Sequence, residues 1–383
     1  MSKTPKILHL HSTFDTGGKE LRNVRLINEW GKQVDHAIVS GDLDKRGAAA
    51  LIGKKVRVSW PKFPSLQGKP TPGRLAALAR AMTGYDLVCT YNWGAIDAVM
   101  AHTIFADAFK LPPLVHHEDG FNEDEVRKLK RRRNWYRKIA LGRTAALVVP
   151  SATLEDIALN VWDQPRTRVR RIPNGIDTRA YAAPPKRDIL PGLIKHKDEF
   201  WIGTLAGLRQ VKQLDVLVRA MDRLPSEWQL VIAGEGPERA ALLAEAERMG
   251  VEDRVHLPGF VAQPAKLVGL FDIFALSSHS EQFPISVVEA MAAGLPVVAP
   301  RVGDVGVMVS SDNGPALVDP VTSPETEKAL AKSLSRLAQD PAARKRIGQA
   351  NRQKAREEFD EQRMIERYRA LYWGLMQKYP RSQ

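Results

Sequence analysis

The chain has 383 residues, 44% hydrophobic and 26% charged, the balance of a soluble globular protein long enough for two domains of ordinary size. Its single cysteine, Cys89, excludes an internal disulfide and a cysteine-rich zinc site, and no run of about 18 apolar residues offers a membrane-spanning helix. A formal net charge of +13 points instead to an anionic partner: nucleic acid, a membrane surface or a phosphorylated substrate.

The N-terminus, MSKTPKILHLHSTF, has one short apolar run and no cleavage-site pattern, so no signal peptide is expected and the cysteine usage suits a reducing cytoplasm. KILHLHS, DHAIVS, YDLVCTY, PPLVHH and AALVVPS read as strands of a first half, with helix-like segments such as GRLAALARAM between them. Between PPLVHH and AALVVPS lies the densest basic cluster, Arg127 to Lys138, with Trp135 and Tyr136 inside it. A helix there carries Arg131, Arg132, Arg133 and Trp135 on a cationic face with aromatic margins. It reads either as a helix lying on an anionic membrane surface or as a plain solvated face. No nucleic-acid-binding motif accompanies the charge, so nucleic acid is not an expected partner.

The stretch from Ile172 to Glu199 is rich in proline and charge and poor in periodicity, which places a domain boundary near Asp177. A second strand series follows: FWIGTLAG, WQLVIAG, RVHLPGF, IFALSS, LPVVAP and PALVD, alternating with helices such as QLDVLVRAMDRL. The alternation predicts an α/β protein of two Rossmann-like, doubly wound domains whose strand ends face a shared cleft. The expected division is residues 1–177, residues 178–360, and a C-terminal amphipathic helix over 361–383 packing on a neighbour, with a crossing back to the first domain as one option.

Within SEQFPISVVEAMAAGLPVVAP, Pro284 at the first helical position and Gly294 as the stop predict a short helix holding Glu289 among apolar residues, with Glu281 just before it. The first-turn N–H groups of Ile285 and Ser286 lack intrahelical partners and make a ready phosphate site. Two acids flanking a phosphate suit a nucleotide-sugar, one gripping a ribose diol and one attending the sugar. The bland alternative has Glu281 capping the helix and Glu289 pairing with a base.

EQFPISVVE, FDTGGKELR, PNGID, GLRQVKQLDVLVRAM, LVIAGEGPER and VHLPGF together resemble, in order and spacing, the retaining glycosyltransferases of family 4 with the GT-B fold. That resemblance implies a metal-independent transferase with no cofactor, using a nucleotide-diphosphate sugar as co-substrate. It implies that Arg209 and Lys212 hold the diphosphate, that Glu289 binds the ribose and that Glu281 attends the transferred sugar. It places base contacts near Gly259 and Phe260, a turn at Gly236, and close backbone approach to the donor at Gly17 and Gly18. A histidine of VHHEDGF, His116 or His117, is implied at the reaction centre, and Asp119 and the segment from Tyr91 to Ala95 are further cleft candidates.

Two positions depart from the pattern: Gln282 stands where the family usually has glycine, and RVGDVGVMVSSDNG replaces its usual GG-x-x-E, with Asp304 left unassigned. UDP-sugar is the first choice of donor and GDP-sugar the second. The acceptor expected is a lipid-linked or membrane-surface glycan in envelope polysaccharide or glycolipid synthesis, on a cytoplasmic protein attached peripherally to the membrane. A soluble small acceptor, or a non-catalytic sugar-nucleotide or polyanion binder, are the rival readings.

Overall fold

The computed structural model describes residues 4–121, 125, 129–190, 192–320 and 323–380. The chain divides into two compact units, Met1–Pro173 with Met364–Gln383, and Asn174–Arg363.

In the first unit the described elements are β1 (Lys6–His11), α1 (Gly18–Trp30), β2 (Asp35–Ser40), β3 (Val58–Ser59), α2 (Pro72–Ala81), β4 (Leu87–Tyr91), α3 (Ile96–Phe105), β5 (Leu114–His117), α4 (Arg131–Ala140), β6 (Ala146–Val149), α5 (Ala152–Asn160) and β7 (Val169–Arg171). The strands pair in parallel in the order β3-β2-β1-β4-β5-β6-β7. Their side chains alternate between two faces, as strand geometry requires. Leu8, Leu10, Val88 and Leu147 meet Leu75, Val99 and Leu154 from α2, α3 and α5. Ile7, Cys89 and Val115 pack on the other face against Leu26 and Trp30 of α1.

The second unit comprises β8 (Phe200–Leu205), α6 (Asp215–Ala220), β9 (Trp228–Ala233), α7 (Arg239–Met249), β10 (Val255–Gly259), β11 (Ile273–Ala275), α8 (Ile285–Ala293), β12 (Val297–Pro300), α9 (Val305–Met308), β13 (Leu317–Val318), α10 (Ser323–Ala338) and α11 (Pro341–Glu358). Its parallel sheet runs β10-β9-β8-β11-β12-β13. Ile202, Leu230 and Ile232 face Leu217, Leu242 and Leu334. Trp201, Val231 and Phe274 face Val287, Val288 and Met291 of α8. Asn351 of α11 anchors that layer, donating to the carbonyl of Leu295 at 2.8 Å and accepting from the N–H of Ser310 at 3.0 Å.

A last helix, α12 (Glu361–Lys378), carries Met364, Ile365, Tyr368 and Tyr372 into the α1 face of the first unit's sheet. It is fastened there by polar as well as apolar contacts. His117 directs Nδ1 to the carbonyl of Thr90 at 3.1 Å, which makes Nδ1 the donor and leaves Nε2 to accept from the Tyr372 hydroxyl at 2.8 Å. Burial, reinforced by the nearby Arg22 charge, keeps this imidazole well below its usual range and therefore neutral.

Tyr372→Phe should leave His117 Nε2 buried without a donor. A loss of about 1–3 kcal/mol in unfolding free energy is expected from urea denaturation.

Candidate active site

In the second unit the strand order reverses between β8 and β11, so the loops leaving those two strands diverge and open a crevice at their carboxyl ends. Three contacts tie the two loops together. The N–H of His279 donates to the carbonyl of Val211 at 2.9 Å, and the Ser277 hydroxyl donates to the carbonyl of Lys212 at 2.8 Å. Lys212 Nζ meets Glu281 Oε1 at 2.5 Å. Both side chains of that pair are largely shielded, so each offsets the other's desolvation. Glu281 is therefore paired with a cation rather than spent on capping a helix.

Pro284 has extended backbone and serves as the residue before α8, so the helix begins at Ile285 rather than at the proline expected from sequence. The first intrahelical-type bond comes from the N–H of Val287 to the carbonyl of Pro284, at 3.1 Å. The N–H groups of Ile285 and Ser286 precede it and head the helix. Glu289 lies one turn on, and its Oε1 accepts from the hydroxyl of Tyr181 at 3.0 Å. Burial pushes its carboxyl pKa up to about 7, against the opposing pull of the Tyr181 hydrogen bond. Its partner is thus a phenol, not a base.

Arg209 precedes a short 3-10 turn over Gln210–Lys212 and is exposed to solvent. The turn after β9 fits against the loop after β8 only because Gly236 lacks a side chain. Its φ is +159°, and a Cβ there would stand 2.4 Å from the carbonyl oxygen of Leu208. Gly259 ends β10 and accepts from the N–H of Gly234 at 2.8 Å, and the next side chain, Phe260, is 77% exposed. All nine second-unit candidates, Arg209, Lys212, Gly236, Gly259, Phe260, Glu281, Ile285, Ser286 and Glu289, thus lie at or beyond the carboxyl ends of four adjacent strands of one sheet.

The first unit has its own reversal, between β1 and β4. Gly17 caps α1 in extended conformation and Gly18 begins the helix after the β1 loop. His116 and His117 close β5 and are both buried. His117 is committed at both ring nitrogens, as described. His116 meets the Thr90 hydroxyl through Nδ1 at 2.8 Å, while its buried Nε2 makes no hydrogen bond and lies 3.7 Å from Glu118. Asp119 is gripped by the guanidinium of Arg22, and its N–H donates to the side chain of Asn92 at 2.8 Å. Asn92 itself has a φ of +53°, an uncommon backbone state for a residue with a side chain.

Residues 16–180 match the family Glycosyltransferase Family 4, and residues 186–354 match Glycosyl transferases group 1. The chain belongs to the family 4 glycosyltransferases. Anabaena Alr3699/HepE in complex with UDP superposes with a TM-score of 0.76 over 95% of this chain and 98% of that one, at 21% identity, and shows the fold to be GT-B. N-acetyl-alpha-D-glucosaminyl L-malate synthase of Bacillus anthracis is 26% identical over 223 residues, covering 56% of this chain and 55% of that protein. A D-inositol 3-phosphate glycosyltransferase of Xylanimonas cellulosilytica is 26% identical over 295 residues, covering 67% of each. The chain thus spans from about half to two thirds of the length of these relatives.

The basic cluster is less uniform in the structure than in the sequence. Arg127 and Lys128 lie outside the described residues. Arg137 is buried among the rings of Trp93, Phe121 and Trp162 and pairs with Glu118 and Glu125. Arg133 also turns inward, to Glu125 at 2.9 Å and over Trp93. Burial opposes ionisation of Glu125, but hydrogen bonds from Arg137 and Arg133 prevail and hold its carboxyl below the usual range. Arg131, Arg132 and Trp135, the last 65% exposed, keep an outward face. Among the described residues no group of three His, Cys, Asp or Glu side chains is placed to hold a metal ion, and no helix is long and apolar enough to cross a membrane.

Sequence reasoning missed Tyr181, because it sits in a proline- and charge-rich stretch with no periodicity, 108 residues before the carboxylate it meets. It also missed Arg22, whose partner Asp119 is 97 residues away.

Unfolded chains lose the glutamate proton in the ordinary carboxyl range, whereas folded Glu289 keeps it to about 7. Folding therefore takes up a proton in that window, and the contribution of Glu289 to stability falls as pH rises through it. Glu289→Gln, which imitates the protonated acid, should melt higher than wild type at pH 8. By differential scanning calorimetry the gap should close near pH 4, where both side chains are neutral.

Proposed function

We propose that this glycosyltransferase moves a sugar from a nucleoside-diphosphate sugar, UDP-linked first and GDP-linked second, to a lipid-linked or membrane-surface glycan in envelope polysaccharide or glycolipid synthesis, with retention of anomeric configuration. The observation that carries the donor reading is the Lys212–Glu281 pair beside the open N-terminus of α8, with Glu289 one turn inside. The diphosphate lies on the N–H groups of Ile285 and Ser286, between Arg209 and Lys212. Glu289 accepts from the ribose diol through the carboxylate oxygen that Tyr181 leaves unused, and Phe260 offers its face to the base beside the backbone of Gly259 and Gly236. UDP in the Anabaena structure supports the choice of nucleotide.

In the reaction, the bond from the anomeric carbon to the diphosphate oxygen breaks and the acceptor oxygen bonds to that carbon from the same face. The acceptor's hydroxyl proton passes to the leaving diphosphate. Charge accumulates on that diphosphate as the bond breaks, and Arg209, Lys212 and the α8 N-terminus stabilise it there without a metal or cofactor. Glu281 orients the sugar and stabilises positive charge at the anomeric centre. Within the first unit, which serves the acceptor, His116, whose Nε2 makes no hydrogen bond, is better suited to a reacting role than His117, whose two ring nitrogens are both engaged.

The exposed Arg131, Arg132 and Trp135 support attachment of a cytoplasmic enzyme to an anionic membrane surface. A soluble small acceptor is the second reading, favoured by the malate and inositol phosphate in the names of the two relatives.

A thermal-shift panel of UDP-, GDP-, ADP- and TDP-sugars tests the donor. One nucleotide class should raise the melting temperature of wild type, and the shift should vanish in Arg209→Ala, while no shift at millimolar ligand would contradict the assignment. Pelleting with anionic liposomes tests the acceptor side. Reversing Arg131 and Arg132 to Glu should abolish sedimentation under the lipid reading and leave it unchanged under the soluble one.

A further inference from the structure

The loop that carries Glu281 contains a shielded polar atom without a hydrogen-bond partner. Gln282, the next residue, is itself half-buried, while its side-chain oxygen Oε1 is shielded and accepts no hydrogen bond. A buried acceptor without a donor carries an uncompensated desolvation cost, so such groups call for an explanation.

Gln282 is also held where it stands. Its backbone carbonyl accepts from the N–H of Asp304 at 3.1 Å. The turn at Gly303 presses so closely that a Cβ there would lie 2.3 Å from the carbonyl oxygen of Glu281 and 2.8 Å from that of Gln282. Gly303 has a φ of +52°, a left-handed state that suits glycine. One residue back, the Glu281 carboxylate is fixed by Lys212. Backbone and neighbour are thus both constrained while the amide oxygen is left without a donor, the combination expected where a ligand completes the pairing.

We propose that Gln282 is a specificity-determining residue whose side-chain oxygen accepts a hydrogen bond from a hydroxyl or acylamino N–H of the transferred sugar. The inference rests on the donor reading above. With the diphosphate at the start of α8 and the ribose at Glu289, the other end of the donor falls on the Glu281–Gln282 side. A sugar presenting a hydrogen-bond donor to Oε1 is accepted. An epimer or deoxy analogue leaves the oxygen unpaired and is discriminated against. The turn at Gly303 and Asp304 acts through Gln282, as a positioning element for that contact.

Calorimetric titration of wild type and Gln282→Met with UDP, GDP and their glucose, galactose, mannose and N-acetylglucosamine conjugates tests this. Methionine keeps the length of the side chain and removes the strong acceptor. For the preferred sugar nucleotide, Gln282→Met should weaken binding about tenfold or more, and should bring the epimers to within about threefold of one another. Affinity for the free nucleoside diphosphate should stay within about twofold of wild type. Unchanged sugar preference with intact nucleoside-diphosphate binding would overturn the inference alone. An equal loss for free and conjugated nucleotide would show a merely structural role and overturn it as well. A wild type that binds no nucleoside diphosphate would overturn the donor reading, and this inference with it.

Discussion

Lys212 and Glu281 make the contact on which the second unit's site depends. They come from loops that leave β8 and β11, neighbouring strands whose connections run in opposite directions along the sheet. Without an interaction across that reversal the two loops would be independent, and the N-terminus of α8 would have no fixed relation to Arg209. The ion pair and the two backbone-directed bonds from Ser277 and His279 close the crevice floor. A shielded pair of this kind adds little net stability, since desolvation offsets attraction, but removing one partner leaves the other charge uncompensated. It is suited to holding geometry, and it keeps a cation and an anion ready beside an open helix end.

The two acids of the α8 segment solve the problem of burial in different ways. Glu281 is compensated by a charge. Glu289 is compensated by a single phenol and by holding its proton to about 7. A ligand donating from two hydroxyls to Glu289 would favour its ionised form, so the proposed binding of a ribose there would be coupled to proton release. In the first unit, burial and nearby positive groups keep His9, His11 and His117 neutral, and their hydrogen bonds to Tyr91, Asn23 and Tyr372 tie β1 to β4 and fasten α1 and α12 to the sheet.

Much of this was legible in the chain because buried parallel strands are short apolar runs. KILHLH, LVCTY and FWIGTL announce themselves in that way, and two Rossmann-like domains follow from the two series, whereas GT-B was implied by the resemblance of the motifs. β3 and β7 were not legible: the first has two residues, and the second, VRR, buries only Val169 at a sheet edge. The spacing of Glu281 and Glu289 pointed to the candidate site, but neither Lys212 as the partner of Glu281 nor Tyr181 as the partner of Glu289 could be read, since both contacts are long-range in sequence. The inward turn of Arg133 and Arg137 was hidden for a different reason. In RRRNWYRK cations occupy five of the eight positions, on every side of a helix, so no apolar stripe marks which face is buried; that is set by Glu118, Glu125 and Trp93 from other segments.

The proposed position of the donor on the second unit is tested most directly by amide hydrogen exchange of the full chain with and without saturating UDP-sugar. Slower exchange at the Ile285 and Ser286 amides, together with the loop around Glu281, is the expected result. Protection confined to other parts of the chain, with those amides unchanged, would contradict it.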